Sequence, residues 1–460
     1  MIVIEESDKL RTFDRRVKLI CKQTQEQKRF LIVCSIFLVF ICFFFQLLYV
    51  KPPKARKSLF ASQSFEKRGP RIFIRSHELS NTGAPRVCSE LALLLGEYLD
   101  ANVVFSIPES FMTRNDASIQ ISRLIPRINF TVDLSGAVES ALDADIVIVS
   151  TAAPNQLEWM HLFRKASPSF PALIWWIHEG QSVMHEWPEA HTSRISNEMS
   201  SGIANLIIFP SSSTQLWWLK EIEARSKTTM VSKILALPWG LPSWRFSSLQ
   251  SSESLSSGVV LRSSLGIKPD NFVFLVVGSY NRLKGHRGIA KAFRLAQKEC
   301  EGGSTFHLVT VGVGLGASDN FFPQSDVQWV KEDPTIHLLG ESDSIPSFLS
   351  MANVYVSNTL DGGETWGLAN LEALASGVPI LASDVGGASE MLKNNSLALF
   401  HSVPSKMDDS EADKLSENMC LLWKDVNLRK TLVQEGQKYA DRFNQDYLKK
   451  SIKSIIEINL

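Results

Sequence analysis

Two glutamates suited to binding hydroxyl groups, Glu364 and Glu372, lie eight residues apart in the stretch GGETWGLANLEALASGVP, residues 362–379. A carboxylate accepts hydrogen bonds from paired hydroxyls, which a sugar and a ribose both offer. The glycines predict a turn before a helix, and Gly377 with Pro379 predicts the end of that helix. We therefore expect Glu364 in the loop before the helix and Glu372 about one turn inside it, both facing a cleft. The alternative is a pair of glutamates on the solvated face of an ordinary helix.

A basic loop offers charge that would complement such a pair. Residues 278–287 read GSYNRLKGHR, after the pattern of a buried strand and before that of a helix. Lys284 provides a point charge for a diphosphate, and Arg282 can bind it bidentately. The alternative is a solvated loop whose basic residues occur by chance.

A third loop, SNTGAPR at residues 80–86, follows a short apolar run and opens a helix. Backbone N–H groups at the start of a helix favour an anion, and Gly83 would let a phosphate come close. A plain tight turn explains this loop equally well.

The elements that must position these loops form two series of strands and helices. The first series of apolar runs is RIFIRS (71–76), NVVFSI (102–107), DIVIVS (145–150), ALIWWIH (172–178), NLIIFP (205–210) and KILALP (233–238); the second is NFVFLVVGS (271–279), TFHLVTVG (305–312), TIHLLG (335–340), NVYVSN (353–358) and VPILASD (378–384). The runs are continuous rather than alternating, which is typical of parallel strands buried on both faces. A ligand cleft is therefore expected at the carboxyl ends of the strands, between two α/β domains.

The domain boundaries follow from composition. The first domain is assigned to residues 70–241 and the second to residues 265–445, with a C-terminal helix at 446–460. Residues 242–264 between the domains are serine-rich and weakly apolar, as a linker is.

The N-terminal region contains a long uncharged apolar run, FLIVCSIFLVFICFFFQLLYV at residues 30–50. As a helix it would be ~31 Å long, which matches the hydrocarbon core of a bilayer. We predict an uncleaved transmembrane anchor, preceded by a cytosolic tail at residues 1–29 and followed by a basic stem at residues 51–69. The tail is the more basic flank, so the body would lie in the lumen. A buried core helix is the alternative.

Composition excludes one class of partner and says little about the compartment. Lys+Arg and Asp+Glu both number 48, so the formal net charge is zero and no basic footprint for a nucleic acid exists. Asn129 and Asn394 begin sequons that would accept glycans in a lumenal body. The cysteines of the body, Cys88, Cys300 and Cys420, are scattered, and from them we expect neither a disulfide framework nor a metal site.

The loops together carry a family resemblance. The stretch from Glu364 to Glu372, continuing to the Gly-Val-Pro end, resembles the signature of family 4 retaining glycosyltransferases, which have the GT-B fold. Lys284-Gly285 resembles the Lys-Gly motif that this family uses for the diphosphate, and the segment around Gly83 is similar to its N-terminal glycine loop. The resemblance covers roughly residues 71–447. It implies two Rossmann-like domains that face a cleft, the first for the acceptor and the second for the nucleotide sugar.

One position departs from the family pattern. Ser279 follows Gly278 where the family usually has an arginine, and Arg282 lies three residues later. We expect Arg282 to substitute for that arginine. Otherwise Lys284 and the backbone dipoles stabilise the diphosphate without it.

The resemblance implies a role for each motif residue. Glu372 would bind the ribose hydroxyls, Glu364 the transferred sugar, and Lys284 the diphosphate leaving group. His178, at the end of ALIWWIH, would stand near the donor sugar and the acceptor, with a capped histidine at a strand end as the alternative. The other implied donor contacts are Gly83, Arg282 and the backbone amides of Trp366, Gly367 and Leu368.

The expected activity is a retaining transfer of a sugar from a nucleoside-diphosphate sugar to a hydroxyl of a glycan, glycolipid or other acceptor. The site would need neither cofactor nor metal, since no Asp-x-Asp motif appears where a divalent ion would be required. The protein would be a single-pass type II membrane protein of the Golgi or endoplasmic reticulum. Two alternatives stay open: a catalytically inactive, membrane-tethered sugar-binding or scaffold protein, and a GT-B sugar-nucleotide epimerase.

Overall fold

The computed structural model describes residues 69–78, 83–108, 129–130, 138–181, 187–225, 230–314, 324–360, 362–393, 397–402 and 410–457. The predicted tail, anchor and almost all of the stem lie outside these residues, as does Asn394. Within the described ranges, none of the helices is both long enough and apolar enough to cross a bilayer. The two predicted α/β domains lie in one structural unit, Lys67–Leu460.

The first domain is built on a parallel sheet whose strand order is β3-β2-β1-β4-β5-β6-β7. Its strands are β1 (Arg71–Arg75), β2 (Asn102–Ser106), β3 (Asn129–Phe130), β4 (Ile146–Ser150), β5 (Ala172–Trp176), β6 (Leu206–Phe209) and β7 (Lys233–Ala236). The helices between them are α1 (Gly83–Leu99), α2 (Val138–Leu142), α3 (Pro154–Ala166), α4 (Glu189–Ser201) and α5 (Ser212–Arg225).

The second domain repeats the plan with strand order β10-β9-β8-β11-β12-β13, again parallel. Its strands are β8 (Phe272–Val277), β9 (Phe306–Val311), β10 (Ile336–Leu339), β11 (Val354–Ser357), β12 (Ile380–Ser383) and β13 (Ala398–His401). Helices α6 (Ser243–Leu249) and α7 (Ser252–Ser264) precede the sheet; α8 (His286–Glu299), α9 (Gln324–Glu332), α10 (Ile345–Met351), α11 (Leu368–Ala375), α12 (Gly386–Leu392), α13 (Ser410–Lys424), α14 (Val426–Ala440) and α15 (Gln445–Glu457) follow its strands.

The continuous apolar runs are explained by helices on both faces of each sheet. In β1, Ile72 and Ile74 pack on the face covered by α1, whereas Phe73 points to the opposite face and stacks on Trp159 of α3 with ring centroids 5.7 Å apart. Apolar side chains of α15, including Ile452, join the core of the first domain. The end of the chain therefore packs back onto the domain in which the body begins.

The serine-rich linker is helical, which its composition did not indicate. Ser251 caps α7, because its side chain accepts a hydrogen bond from the backbone N–H of Ser254. Gly258 lets α7 approach α10 closely, since a Cβ there would overlap Ser350. Capping and packing thus override the weak apolar pattern of these residues.

The cysteine expectation was wrong for one pair. Cys300, at the end of α8, forms a disulfide with Cys420 of α13, while Cys88 is buried and free. The two half-cystines are 120 residues apart in sequence. They meet because α8 and α13 pack side by side against the second sheet, a contact that spacing along the chain does not reveal.

Candidate active site

The loop before α11 depends on glycine at two positions. Gly367 immediately precedes α11 with φ 91°, and a Cβ there would lie 2.5 Å from Asn370 Nδ2. Gly377, just beyond the helix, has φ 69°. Both values lie in the left-handed region that favours glycine. These two residues fix the length of α11, so Glu364 lies in the loop and Glu372 in the second turn of the helix.

Lys284 and Glu364 come from two different loops and meet in the cleft. Lys284 Nζ donates to Glu364 Oε2 at 2.7 Å. Lys284 ends a short 3-10 helix, Arg282–Lys284, that follows β8, and Gly285 continues the chain at φ 60° against the backbone of Asn358. The lysine and glutamate side chains are 25% and 18% exposed. The pair is therefore partly desolvated and still open to a ligand.

Glu372 is held by arginines from both sides of the cleft. Arg86 of α1 donates from Nη2 to Glu372 Oε1 at 3.0 Å. Arg245 of α6 donates to the same oxygen from Nε at 2.9 Å and also from Nη2. Burial disfavours the ionised carboxyl, but Arg245 and Arg86 outweigh it and hold the pKa of Glu372 below its ordinary value. Glu372 is therefore ionised at neutral pH.

A second carboxylate completes this ion network. Arg245 Nη1 lies 2.6 Å from Glu90 Oε1, and Trp239 Nε1 donates to Glu90 Oε2 at 2.8 Å. Burial lowers the pKa of Arg245, yet Glu372 and Glu90 together raise it above its ordinary value. The network of Arg86, Glu90, Arg245 and Glu372 has no net charge and joins the two domains.

Arg86 and Arg245 were not predicted to be site residues. Arg86 was noted only as the end of the glycine loop, and Arg245 lies in the segment assigned as a linker. Its side chain is 6% exposed. One signal pointed to it: an arginine flanked by Trp244 and Phe246 in a stretch otherwise made mainly of serine.

Several of the residues predicted to bind the donor line one cavity of about 170 Å³. Its lining includes Gly83, Arg86, Lys284, Glu364, Leu368 and Glu372. The described hydrogen bonds to the side chain of Glu372 all end on Oε1, so Oε2 is available to a ligand. The cavity can bind a molecule that has hydroxyls at two places and negative charge between them.

A larger cavity of about 510 Å³ lies beside the first and shares Gly83, Glu364 and Leu368 with it. Trp366 and Gly367 also line the larger cavity, together with Thr151, His178, Glu179, Trp176, Trp187 and Trp239. Trp366 is fixed because its Nε1 donates to the Trp239 carbonyl at 3.0 Å. The two cavities together give room for two ligands that meet at Glu364.

His178 is an uncharged residue of the larger cavity. Its ring stacks on Trp176 with centroids 5.6 Å apart. Burial, aided by the neighbouring His77, lowers the pKa of His178 to about 3. Within the described residues, its Nε2 is buried without a hydrogen-bond partner. Neutral imidazole with a free ring nitrogen can exchange a hydrogen bond with a ligand hydroxyl.

The remaining predicted residues lie elsewhere. Arg282 is exposed, and it belongs to the lining of neither cavity. Arg86, which was not predicted as a site residue, does line the smaller cavity. Asn129 lies in strand β3. The described residues contain no group of three His, Cys, Asp or Glu side chains that could hold a metal ion.

The fold and this site define the class of protein. Two Rossmann-like domains with parallel sheets and a charged cleft between them form the GT-B arrangement. Residues 68–238 match the model of glycosyl-transferase family 4, and residues 260–439 match that of glycosyl transferases group 1. Each of the two α/β domains thus matches a glycosyltransferase family model.

Solved structures agree on the fold. The chain is similar to Anabaena Alr3699/HepE in complex with UDP and glucose, with a TM-score of 0.69, 16% identity, and coverage of 84% of this chain and 99% of that chain. It is also similar to sucrose-phosphate synthase from Thermosynechococcus elongatus, with a TM-score of 0.62, 16% identity, and coverage of 84% and 98%. At 16% sequence identity, this structural similarity shows that the folds agree and nothing further.

Curated relatives are similar over part of their length. The capsular polysaccharide biosynthesis glycosyltransferase CapM of Staphylococcus aureus is 22% identical over 187 residues, which are 40% of this chain and 46% of that protein. D-inositol 3-phosphate glycosyltransferase of Paenarthrobacter aurescens is 27% identical over 188 residues, 40% and 43% of the two chains. The chain spans less than half of the length of these relatives.

Proposed function

We propose that the protein transfers a sugar from a nucleoside-diphosphate sugar to an acceptor hydroxyl, with retention of configuration and without a metal ion. The observation that carries the proposal is that Lys284, Glu364 and Glu372 line one cavity. A nucleotide sugar has hydroxyls on its ribose and on its sugar and a diphosphate between them. Glu372 accepts from the ribose through Oε2, Glu364 from the sugar, and Lys284 binds the diphosphate. The likeness to a protein in complex with UDP and glucose supports a uridine donor.

Donor binding exchanges the partner of Lys284. In this structure the lysine is paired with Glu364. A diphosphate carries more charge than one carboxylate, so Lys284 turns to the phosphate oxygens and Glu364 becomes free to accept from sugar hydroxyls. Each partly buried charge keeps a partner throughout, which limits the desolvation cost.

The reaction breaks the bond between the anomeric carbon and the phosphate oxygen. Positive charge develops on the sugar ring and negative charge on the departing diphosphate. Lys284 and the N-terminus of α11 stabilise the diphosphate electrostatically. The acceptor attacks from the face that the diphosphate leaves, and the departing phosphate takes the hydroxyl proton.

The body is proposed to be lumenal, behind a type II anchor at residues 30–50. The disulfide between Cys300 and Cys420 supports an oxidising compartment, because such bonds are rare in the cytosol. The Golgi or the endoplasmic reticulum satisfies this condition.

Glu372→Gln in the full chain tests the donor site. The amide oxygen can still accept from the two arginines, but the amide nitrogen then faces the ribose and cannot accept from its hydroxyls. We expect the Kd for UDP, measured by calorimetry, to rise about tenfold or more, since one charged hydrogen bond is lost. Glu158→Gln, on an exposed carboxylate of α3, is the matched control.

An unchanged Kd for UDP in folded Glu372→Gln protein would end the ribose assignment. The activity itself is tested by release of nucleoside diphosphate from common nucleotide sugars. No binding and no release with any donor would favour the non-catalytic scaffold.

A further inference from the structure

Glu179 of the larger cavity belongs to none of the motifs and is held in an unusual setting. It follows His178 at the carboxyl end of β5, and its Oε2 accepts from the backbone N–H of Ala152 at 2.9 Å. Its own carbonyl accepts from Trp218 Nε1 at 3.0 Å. Both ends of the residue are thus fixed, and its side chain lines the cavity.

The Ala152 amide is presented to Glu179 by a strained residue. Thr151 has φ 72°, a conformation that non-glycine residues rarely adopt. It is held there because its N–H donates to the Trp176 carbonyl at 2.7 Å and its carbonyl accepts from Trp175 Nε1 at 2.8 Å. Backbone strain at a β-branched residue in a cavity wall is destabilising and is typical of a functional site.

Glu179 also lies beside the loop that carries Glu364. The next residue, Gly180, is in contact with Thr365, since a Cβ at Gly180 would lie 2.8 Å from Thr365 Cγ2. Glu364 lines both cavities, so a ligand bound against Glu179 would lie next to the donor sugar.

The walls of this cavity disfavour a charged ligand. Burial raises the pKa of Glu179 to about 7, although the Ala152 amide and other hydrogen bonds favour its ionised form. The same desolvation would penalise a phosphate, and Glu179 in its ionised form would repel it. His178 and His77, whose pKa values burial lowers, add no positive charge at neutral pH. Within the described ranges, the lining contains neither lysine nor arginine.

Four tryptophans are among the residues that line the cavity, and three of them, Trp176, Trp239 and Trp366, are themselves buried. A mainly apolar lining with a few fixed hydrogen-bonding groups suits a ring that has both C–H and hydroxyl surfaces. Resting on the proposed function, we propose that the part of the larger cavity next to Glu179 binds an uncharged sugar residue as the acceptor, and that Glu179 binds one of its hydroxyls. The acceptor end of a glycan fits this chemistry, and a sugar phosphate does not.

The test uses the full chain in detergent, with UDP-glucose, UDP-galactose, UDP-N-acetylglucosamine and GDP-mannose as donors. Matched acceptor probes are glucose, galactose and mannose, each beside its 6-phosphate, and lactose. We expect a neutral sugar to accelerate nucleoside-diphosphate release at least tenfold, and its phosphorylated counterpart to have no effect at equal concentration.

Glu179→Gln separates a binding role from a structural one. Glutamine can still accept from the Ala152 amide, so the fold is kept, but the charged hydrogen bond to the acceptor is lost. We expect the acceptor KM to rise about tenfold with little change in kcat. Because the carboxylate is lost, we also expect Glu179→Gln to reduce the difference in nucleoside-diphosphate release between neutral sugars and their phosphorylated counterparts. Glu158→Gln is the control.

The outcomes distinguish this inference from the proposed function. If UDP binds and phosphorylated sugars are the better acceptors, or no neutral sugar accelerates release, the acceptor assignment is overturned and the donor site stands. If Glu179→Gln leaves the acceptor KM and the phosphate discrimination unchanged, the residue is only structural and its role is overturned. If no nucleoside diphosphate binds, both proposals fall.

Discussion

Replacing Arg245 by alanine tests whether the buried ion network holds the two domains together. The arginine side chain is 6% exposed, and its carboxylate partners Glu90 and Glu372 are 8% and 4% exposed. Removing one partner of a buried ion pair costs about 3–5 kcal/mol, because the remaining charge stays desolvated.

The loss of stability caused by Arg245→Ala should lie at the lower end of this range, because both carboxylates keep other partners. Glu372 keeps Arg86 at 3.0 Å, and Glu90 keeps Arg86 at 3.6 Å and the indole of Trp239 at 2.8 Å. We therefore expect a loss of about 3 kcal/mol in the free energy of unfolding. For domains of this size that corresponds to a fall in Tm of roughly 6–12 °C.

Arg225 offers a matched control within the same chain. It also contacts two glutamates, Glu221 at 2.8 Å and Glu189 at 3.1 Å, but it is 28% exposed and Glu189 is 83% exposed. Exposed ion pairs contribute about 0–1 kcal/mol, so Arg225→Ala should cost no more than about 1 kcal/mol.

The assay is urea unfolding and thermal melting of full-length protein, followed by tryptophan fluorescence. Combining Arg245→Met with Glu372→Gln should restore part of the loss, because position 372 then holds no buried carboxylate that lacks Arg245. If Arg245→Ala and Arg225→Ala lower the stability equally, burial does not set the energy of this network and the reasoning fails.

Two further predictions follow. Because the pKa of Glu372 is lowered in the folded protein, its contribution to stability is present above the unfolded pKa and is lost as pH falls through the folded pKa. The difference in Tm between wild type and Glu372→Gln should therefore disappear in acid. A Tm difference that stays constant from neutral pH to acid would contradict this prediction. In the proposed topology, an endoglycosidase should shift the mobility of the cellular protein, and Asn129→Gln with Asn394→Gln should abolish the shift; a protein whose mobility never shifts would argue against this topology.

Local patterns in the sequence predicted most strands of the two sheets, though not β3 or β13, and the loops around Glu364 and Lys284. Continuous apolar runs indicate strands that are buried on both faces. Glycine indicates where the backbone needs a positive φ, as Gly367 and Gly377 confirm. Both signals come from neighbouring residues, so one chain carries them without any knowledge of tertiary contacts.

Contacts between distant residues were decided only by the tertiary structure. Arg86 and Glu372 are separated by 286 positions, and Cys300 and Cys420 by 120. Arg245 became part of the site because α6 places it between Glu90 and Glu372, although its local sequence resembles a linker. Glu179 acquired its setting from the strained turn at Thr151, in the preceding loop. Local sequence predicted which residues could carry charge and hydroxyl chemistry, but the partner of each charge depends on packing between elements, which sequence spacing does not encode.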